Sequence, residues 1–221
     1  KLLKGDEKIV VAVSGGKDSL TVLDVLSRLG YAVEGLFINE GIGGYREHSQ
    51  DDLKTFCKNA GVVYREISFK EEFGFTLDEA VATGKFHPCT ICGTLRRYLL
   101  NKYAREYDVI ATGHNLDDES QTIMINLFRA NTELFQRLGP KTEESKWFVQ
   151  KIKPLYLLTE KQVLTYTVLR NIRTQFSECP YATVSYRAAL REKLNRYEQT
   201  RPGSKRSIVE GYVKLKDTLP E

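Results

Sequence analysis

No run of about 18 apolar residues occurs anywhere in this 221-residue chain, which excludes a membrane-spanning helix. The opening Lys1-Leu2-Leu3-Lys4 lacks the layout of a signal peptide, so secretion is not expected. Cysteine is scarce: four residues are too few for a disulfide scaffold. In a cytoplasmic setting their thiols stay reduced, and clustered ones become candidates for metal binding or catalysis. Excess charge is scarce too, since a formal net of +4 says little about a nucleic-acid partner until positions are read. The first residue is not Met, so flanking modules are expected beyond the 221 residues. What remains, 41% hydrophobic with a mean hydropathy of −0.38, describes one globular domain with a small appendage.

The β-branched run Ile9-Val10-Val11-Ala12-Val13 reads as a buried parallel strand, and it stops at Ser14-Gly15-Gly16-Lys17-Asp18-Ser19. Val22, Leu23, Leu26 and Leu29 then recur with helical spacing up to Gly30, and a second strand is expected from Ala32 to Ile38. The alternation continues with a polar helix from Arg46 to Ala60, a strand over residues 62–67, a helix from Ile91 to Glu106 and a strand over residues 109–112. A helix from Asp118 to Arg129 follows. This series predicts a doubly wound parallel α/β sheet, with ligands outside the carboxyl ends of the strands, near Ser14, Asn39 and Gly113-His114. Residues 131–153 read as an irregular surface loop or partly ordered lid. Two tail helices are expected, from Glu160 to Asn171 and from Val184 to Glu198. The division expected is a main domain over residues 1–180 and a small helical, basic extension over 181–221.

Residues 14–19 open a helix directly after a strand. Freed amides and the helix dipole attract phosphate there, and paired glycines allow close approach. The spacing is neither that of Walker loops nor of dinucleotide folds. A tight turn that needs glycine is the plain alternative. Cys89-Thr90-Ile91-Cys92 sits at a helix start behind His87-Pro88, where the dipole is expected to lower thiol pKa. Cys179, before Pro180, is expected in extended, exposed chain. Three thiolates suit a four-iron cluster with one open iron, a zinc site completed by His87 or an outside ligand, or a redox pair. Cys57 fits a packed thiol on a helix. Asp117, Asp118 and Glu119 begin a helix, where acidic residues also serve as ordinary caps.

The Ser-Gly-Gly-x-Asp-Ser loop resembles that of the PP-loop ATP pyrophosphatases, with their adenine nucleotide alpha hydrolase-like fold. Taken with Cys89, Cys92, the distant Cys179 and Ala111-Thr112-Gly113-His114-Asn115-Leu116-Asp117-Asp118-Glu119, the chain resembles the TtcA/TtuA family of tRNA thiolases. Within that family it resembles the branch holding TtuA, archaeal NcsA and the cytosolic tRNA thiouridylases. The resemblance runs from Lys1 to Pro202-Gly203-Ser204-Lys205. It implies ATP with Mg²⁺ held by Ala12, Val13, Ser14, Gly15, Gly16, Lys17, Asp18 and Ser19, with Ile38 at the adenine and Gly113 and Arg96 near the nucleotide. It implies a 4Fe-4S cluster on Cys89, Cys92 and Cys179, with a cysteine persulfide as the alternative. Asp118 would be the catalytic acid/base or metal-positioning group. Arg96, where relatives can carry Lys, would stabilise charge, because a guanidinium is a poor proton donor. The implied reaction adenylates the C2 oxygen of a tRNA uridine and replaces that oxygen with sulfur. The sulfur donor would be sulfide or a ubiquitin-like thiocarboxylate carrier, the assembly a homodimer and the setting cytoplasmic. Residues 180–187 look closer to members that act on the wobble uridine than to those that act on the T loop. Relatives carry cysteine-rich zinc modules at both ends, and residues 1–221 include neither.

Position gives the charge its meaning. Residues 187–206 carry seven basic and two acidic side chains, and residues 92–105 add Arg96, Arg97, Lys102 and Arg105 with no acid, so the remainder is net acidic. Both strips flank assigned cysteines, and Arg187, Arg191, Arg196 and Lys205 are the expected tRNA contacts. On the tail helix Leu190, Leu194 and Tyr197 are expected to pack inward; a solvated helix face is the plain alternative. A PP-loop amidating enzyme would have no use for the three cysteines, and a non-catalytic RNA-binding module no use for the loop and carboxylates.

Overall fold

The computed structural model describes residues 2–85, 87–174, 178–182, 186–216 and 218. Five strands alternate with ten helices: β1 Lys8–Val13, α1 Lys17–Arg28, β2 Ala32–Asn39, α2 Tyr45–Ala60, β3 Tyr64–Ser68, α3 Phe69–Phe73, α4 Leu77–Ala82, α5 Pro88–Tyr103, β4 Val109–Thr112, α6 Leu116–Phe128, α7 Thr132–Gln136, β5 Gln150–Ile152, α8 Glu160–Leu169, α9 Tyr186–Thr200 and α10 Ser204–Lys216. The sheet order is β3-β2-β1-β4-β5, and every pairing is parallel. The chain winds outward from β1 to β3, then returns to place β4 on the other side of β1. The crevice between β1 and β4 is therefore the switch point, where open α/β sheets bind ligands.

Strand alternation separates two cores. Ile9, Val11, Val13, Val109, Ala111 and Ile152 pack with Leu20, Leu23, Leu53 and Phe56 on the face covered by α1 and α2. Val10, Leu36, Ile38 and Ile110 pack with Phe69, Leu77 and Leu99 on the face covered by α3, α4 and α5. Both faces are covered, which is why the strands read as near-continuous apolar runs. A third cluster of Leu116, Ile123, Tyr156, Val209 and Tyr212 seats α10 on α6.

The doubly wound sheet is as expected, with differences of detail. The supposed lid of residues 131–153 contains α7 and the edge strand β5, whose residues pair in register with Val109, Ile110 and Ala111. Three residues with one apolar side chain give no period to read. The cysteine helix begins at Pro88, a residue suited to a first helical turn, so Cys89 and Cys92 lie inside α5. Among the described residues the tail holds three helices, α10 being an addition to the two expected. The expected start of the second tail helix, at Val184, lies outside the described residues. Leu190 and Leu194 are buried as expected, but Tyr197 is 57% exposed.

The structure reassigns Lys205. Its ammonium forms an ion pair with the Asp117 carboxylate and donates to Asn195 Oδ1, and the residue is 6% exposed. It is spent docking α10 on α6 and offers nothing to RNA. Removing one partner of a buried pair leaves an uncompensated charge. Lys205→Met is therefore expected to lower unfolding free energy by about 3–5 kcal/mol in a denaturant titration, with tRNA affinity unchanged under native conditions.

Candidate functional site

Four groups of side chains meet at the carboxyl ends of β1, β2 and β4. The first is the loop of residues 14–19. Gly16 caps α1 without any side-chain hydrogen bond, so the first-turn amides are not claimed by a cap. Ser19 is 4% exposed; its hydroxyl donates to the Gly16 carbonyl (3.0 Å) and accepts from the Ser14 amide (3.1 Å). Ser19 thus shapes the loop, and Ser14 is the hydroxyl nearer the opening. Gly15 has φ +81°, and a Cβ there would stand 2.1 Å from the Ser49 carbonyl oxygen, so only glycine fits between loop and α2. Gly113 is equally constrained: a Cβ would lie 2.8 Å from the Ser19 amide nitrogen. Its close approach is to the start of α1, which draws β4 against the loop.

Lys17 Nζ bonds Asp18 Oδ2 (2.9 Å) and Glu160 Oε1 (3.0 Å). Burial pulls its pKa down, but these two carboxylates outweigh burial and raise it. Asp18 Oδ1 accepts from Asn115 Nδ2 (2.9 Å), and Asn115 forms a capping box with Asp118 at the start of α6. Asp118 is therefore a helix cap, as the plain reading has it, and also a member of the loop's own network. Burial pushes its carboxyl up to about 6, and the nearby Asp18 charge adds to that; Arg187, 3.9 Å away, opposes it.

The third group was not legible in the sequence. Arg46 of α2 is 4% exposed and lies between the rings of Phe37 and Tyr45. It forms an ion pair with Glu40, and donates to the Ser14 carbonyl (3.2 Å) and the Ile38 carbonyl (3.1 Å). Glu40, 1% exposed, also meets Arg96 of α5 at 3.5 Å. Ile38 lies at the end of β2 with its side chain buried and its carbonyl taken by Arg46.

The cysteines form the fourth group. Cys89 Sγ donates to the Tyr181 carbonyl at 3.8 Å, two residues beyond Cys179, and Cys92 and Cys179 both pack against the α5-side core. All three are free thiols brought to one end of the sheet. Cys179 is half-buried rather than exposed. Among the described residues no group of three His, Cys, Asp or Glu side chains is arranged to hold a single metal ion. The expected lowering of thiol pKa fails at Cys92: burial and the Glu40 carboxylate push it up to about 11, against Arg96 and Arg46. Cys57 is buried and likewise raised to about 11, an inert packed thiol. His114 accompanies the site at the end of β4, its Nδ1 2.9 Å from Thr112 Oγ1. Desolvation, with Lys153, Arg187, Arg96 and Lys151 around it, pulls His114 down to about 4, so the ring is neutral at pH 7.

A PP-loop domain model matches residues 1–198. The tRNA-5-methyluridine(54) 2-sulfurtransferase of Pyrococcus horikoshii is 43% identical over 98% of this chain and 70% of that protein. The chain belongs to the PP-loop family of tRNA 2-thiolation proteins. The corresponding sulfurtransferase of Thermus thermophilus is 39% identical over 96% of this chain and 67% of that protein. Among solved structures, the U34-tRNA thiolase NcsA from Methanococcus maripaludis with its [4Fe-4S] cluster superposes with a TM-score of 0.87, at 34% identity, over 99% of this chain and 75% of that one. The PP-loop reading of residues 14–19 agrees with this membership. The preference for the wobble uridine does not gain from it, because the two sulfurtransferases carry the higher identities and are named for position 54. Of the segment behind that preference, residues 183–185 lie outside the described ones.

The Asp118 shift has a stability consequence of definite sign. Its folded pKa stands above the ordinary value, so the folded state holds the proton more tightly, and stability falls as pH rises from about 4 through about 6. Wild-type minus Asp118→Asn melting temperatures, measured without nucleotide or metal, are expected to decline across that window and stay flat above it.

Proposed function

We propose that this protein is an ATP-dependent tRNA sulfurtransferase that converts the T-loop uridine, position 54, to its 2-thio form. The observation that carries the reading is the Glu40 hub. A single buried carboxylate joins Arg46, which grips the phosphate loop, to Arg96 on the helix that bears Cys89 and Cys92. A nucleotide site and a thiol site are thereby held as one. An amidating PP-loop enzyme has no need of that connection.

In this reading the loop amides, Ser14 and Lys17 hold the triphosphate. Asp18 and Asp118 are hard oxygen donors of the kind Mg²⁺ prefers. Arg96 stabilises negative charge as the uridine C2 oxygen attacks the α-phosphorus and pyrophosphate leaves. The adenylated oxygen then departs with AMP when sulfur takes its place at C2. His114, neutral and flanked by cations, adds a hydrogen-bonding edge without a charge.

The donor set fits an iron–sulfur cluster: three cysteines, two in the first turns of α5 and one from the 178–182 segment, while Cys57 is buried in the core on the α1 side, apart from them. Cys89 reaches the Tyr181 carbonyl beside Cys179, and Cys92 and Cys179 pack on the same core, so the three residues that would hold the cluster share one region. Bound there, such a cluster supplies an open iron able to carry sulfide, and it would deprotonate Cys92 outright despite the raised thiol pKa. A cytoplasmic setting belongs to the same reading. The relatives named for position 54 favour the T loop over the wobble site.

The test is an anaerobically reconstituted protein given ATP, sulfide and tRNA. Pyrophosphate release that depends on tRNA, with 2-thiouridine mapped by mass spectrometry to position 54, is expected; thiolation confined to position 34 would return the wobble assignment. Cys89→Ala is expected to bind less than half the wild-type iron and to lose thiolation; full iron and full activity would sink the cluster assignment. Arg191 and Arg196 are exposed on α9, Arg191 against Glu178 at 3.0 Å. Replacing both with Glu is expected to weaken tRNA binding about tenfold or more while ATP binding holds; equal loss of both would indicate misfolding.

A further inference from the structure

We propose that Arg97 of α5 and Lys151 of β5 form a phosphate-binding site for the tRNA backbone, along the sheet edge beside the cysteines. The inference rests on the thiolation reading and adds to it where the substrate strand lies.

The placement follows from strand alternation. Ile152 is fully buried in the core on the α1 side, so Lys151 faces the opposite side, the one that α5 covers. Its register partner Ile110 belongs to that α5-side core. Arg97 folds back along α5, its Nη1 3.1 Å from where a Gly93 Cβ would stand, one residue beyond Cys92. Both cations thus stand on the α5 side of the sheet, Arg97 on the helix and Lys151 on the edge strand. Among the described residues neither has an ion-pair partner, whereas Arg96, Lys153 and Arg187 are matched by Glu40, Glu119 and Asp118. Burial and the Arg97 charge both pull the Lys151 ammonium below the usual lysine range. Like charges held together without an acid are stabilised by an anion from outside.

The anion is a backbone phosphate by position and surroundings. The loop of residues 14–19 follows β1 and Ile38 lies on β2, so an acceptor that approaches across β4 and β5 passes the side where Arg97 and Lys151 stand. Toward the amino ends of β4 and β5 the same edge opens into a groove of about 630 Å³ whose lining includes the cations Arg105 and Lys146, the acids Asp108 and Glu144, and the aromatics Trp147 and Phe148. Trp147 is 79% exposed and Phe148 62%. Cations interleaved with open aromatic faces are how unpaired RNA is held, by phosphate contact and base stacking together.

The experiment measures tRNA affinity across a KCl series for wild type, Arg97→Glu/Lys151→Glu and Arg97→Lys/Lys151→Arg, with ATP binding and melting temperature as controls. The charge-reversed protein is expected to bind tRNA at least tenfold more weakly, with a salt slope smaller by about 1–2. The charge-conserving protein should stay within about threefold of wild type. Trp147 is the only tryptophan, and its fluorescence is expected to be quenched by tRNA but not by inorganic phosphate or ATP. If the reversed protein fails to fold, Arg97→Gln/Lys151→Gln replaces it, with a smaller loss in the same direction. Unchanged affinity and slope would overturn the site while leaving tRNA thiolation standing. So would intact tRNA binding with a selective loss of turnover from a thiocarboxylate carrier, since the anion would then belong to the sulfur donor. A wild type that binds no tRNA overturns the function and this site together.

Discussion

A guanidinium buried beneath two strand ends holds this molecule's site together. Arg46 reaches the phosphate loop through Ser14, the end of β2 through Ile38, and the cysteine helix through Glu40 and Arg96. Taking two charges out of water is costly, and the pair is tolerated only because the guanidinium donates to carbonyls as well as to the carboxylate. The same cost makes it rigid: leaving either partner alone costs about 3–5 kcal/mol. The phosphate loop and the end of β2 therefore cannot drift apart without stranding a charge, and the contact of Glu40 with Arg96 brings the cysteine helix to the same carboxylate.

Around this hub the fold imposes an order along the sheet. The end of β2, the phosphate loop on β1, the acidic cap after β4 and the basic edge at β5 succeed one another across neighbouring strands about 5 Å apart. Gly15 and Gly113 allow α2 and β4 to press on the loop from either side. Asp18 and Asn115 then tie the loop to α6.

Much of this was legible from residue patterns. β1, the loop, α1 and β4 announce themselves because a doubly covered parallel strand is apolar throughout and a phosphate loop breaks it abruptly. The cysteines were legible as a set, though not their environment: helix position argued for low thiol pKa, and burial beside Glu40 raises Cys92 instead. Arg46 and Glu40 were not legible at all. Each is one charge among many in polar sequence, and nothing local distinguishes a buried pair from a solvated one. Lys205 shows the converse error, a lysine in a basic run that proves to be the buried counter-charge of Asp117.

Local sequence determined the winding of the sheet, the phosphate loop and the identity of the thiols, because these depend on residue type and spacing over a dozen positions or fewer. Only the tertiary structure decided which charges are paired. Glu40 with Arg46 and Arg96, Asp117 with Lys205, and the uncompensated approach of Arg97 to Lys151 join residues 6 to 88 positions apart, and whether a charge is buried, matched or left facing its like depends on what the fold brings against it.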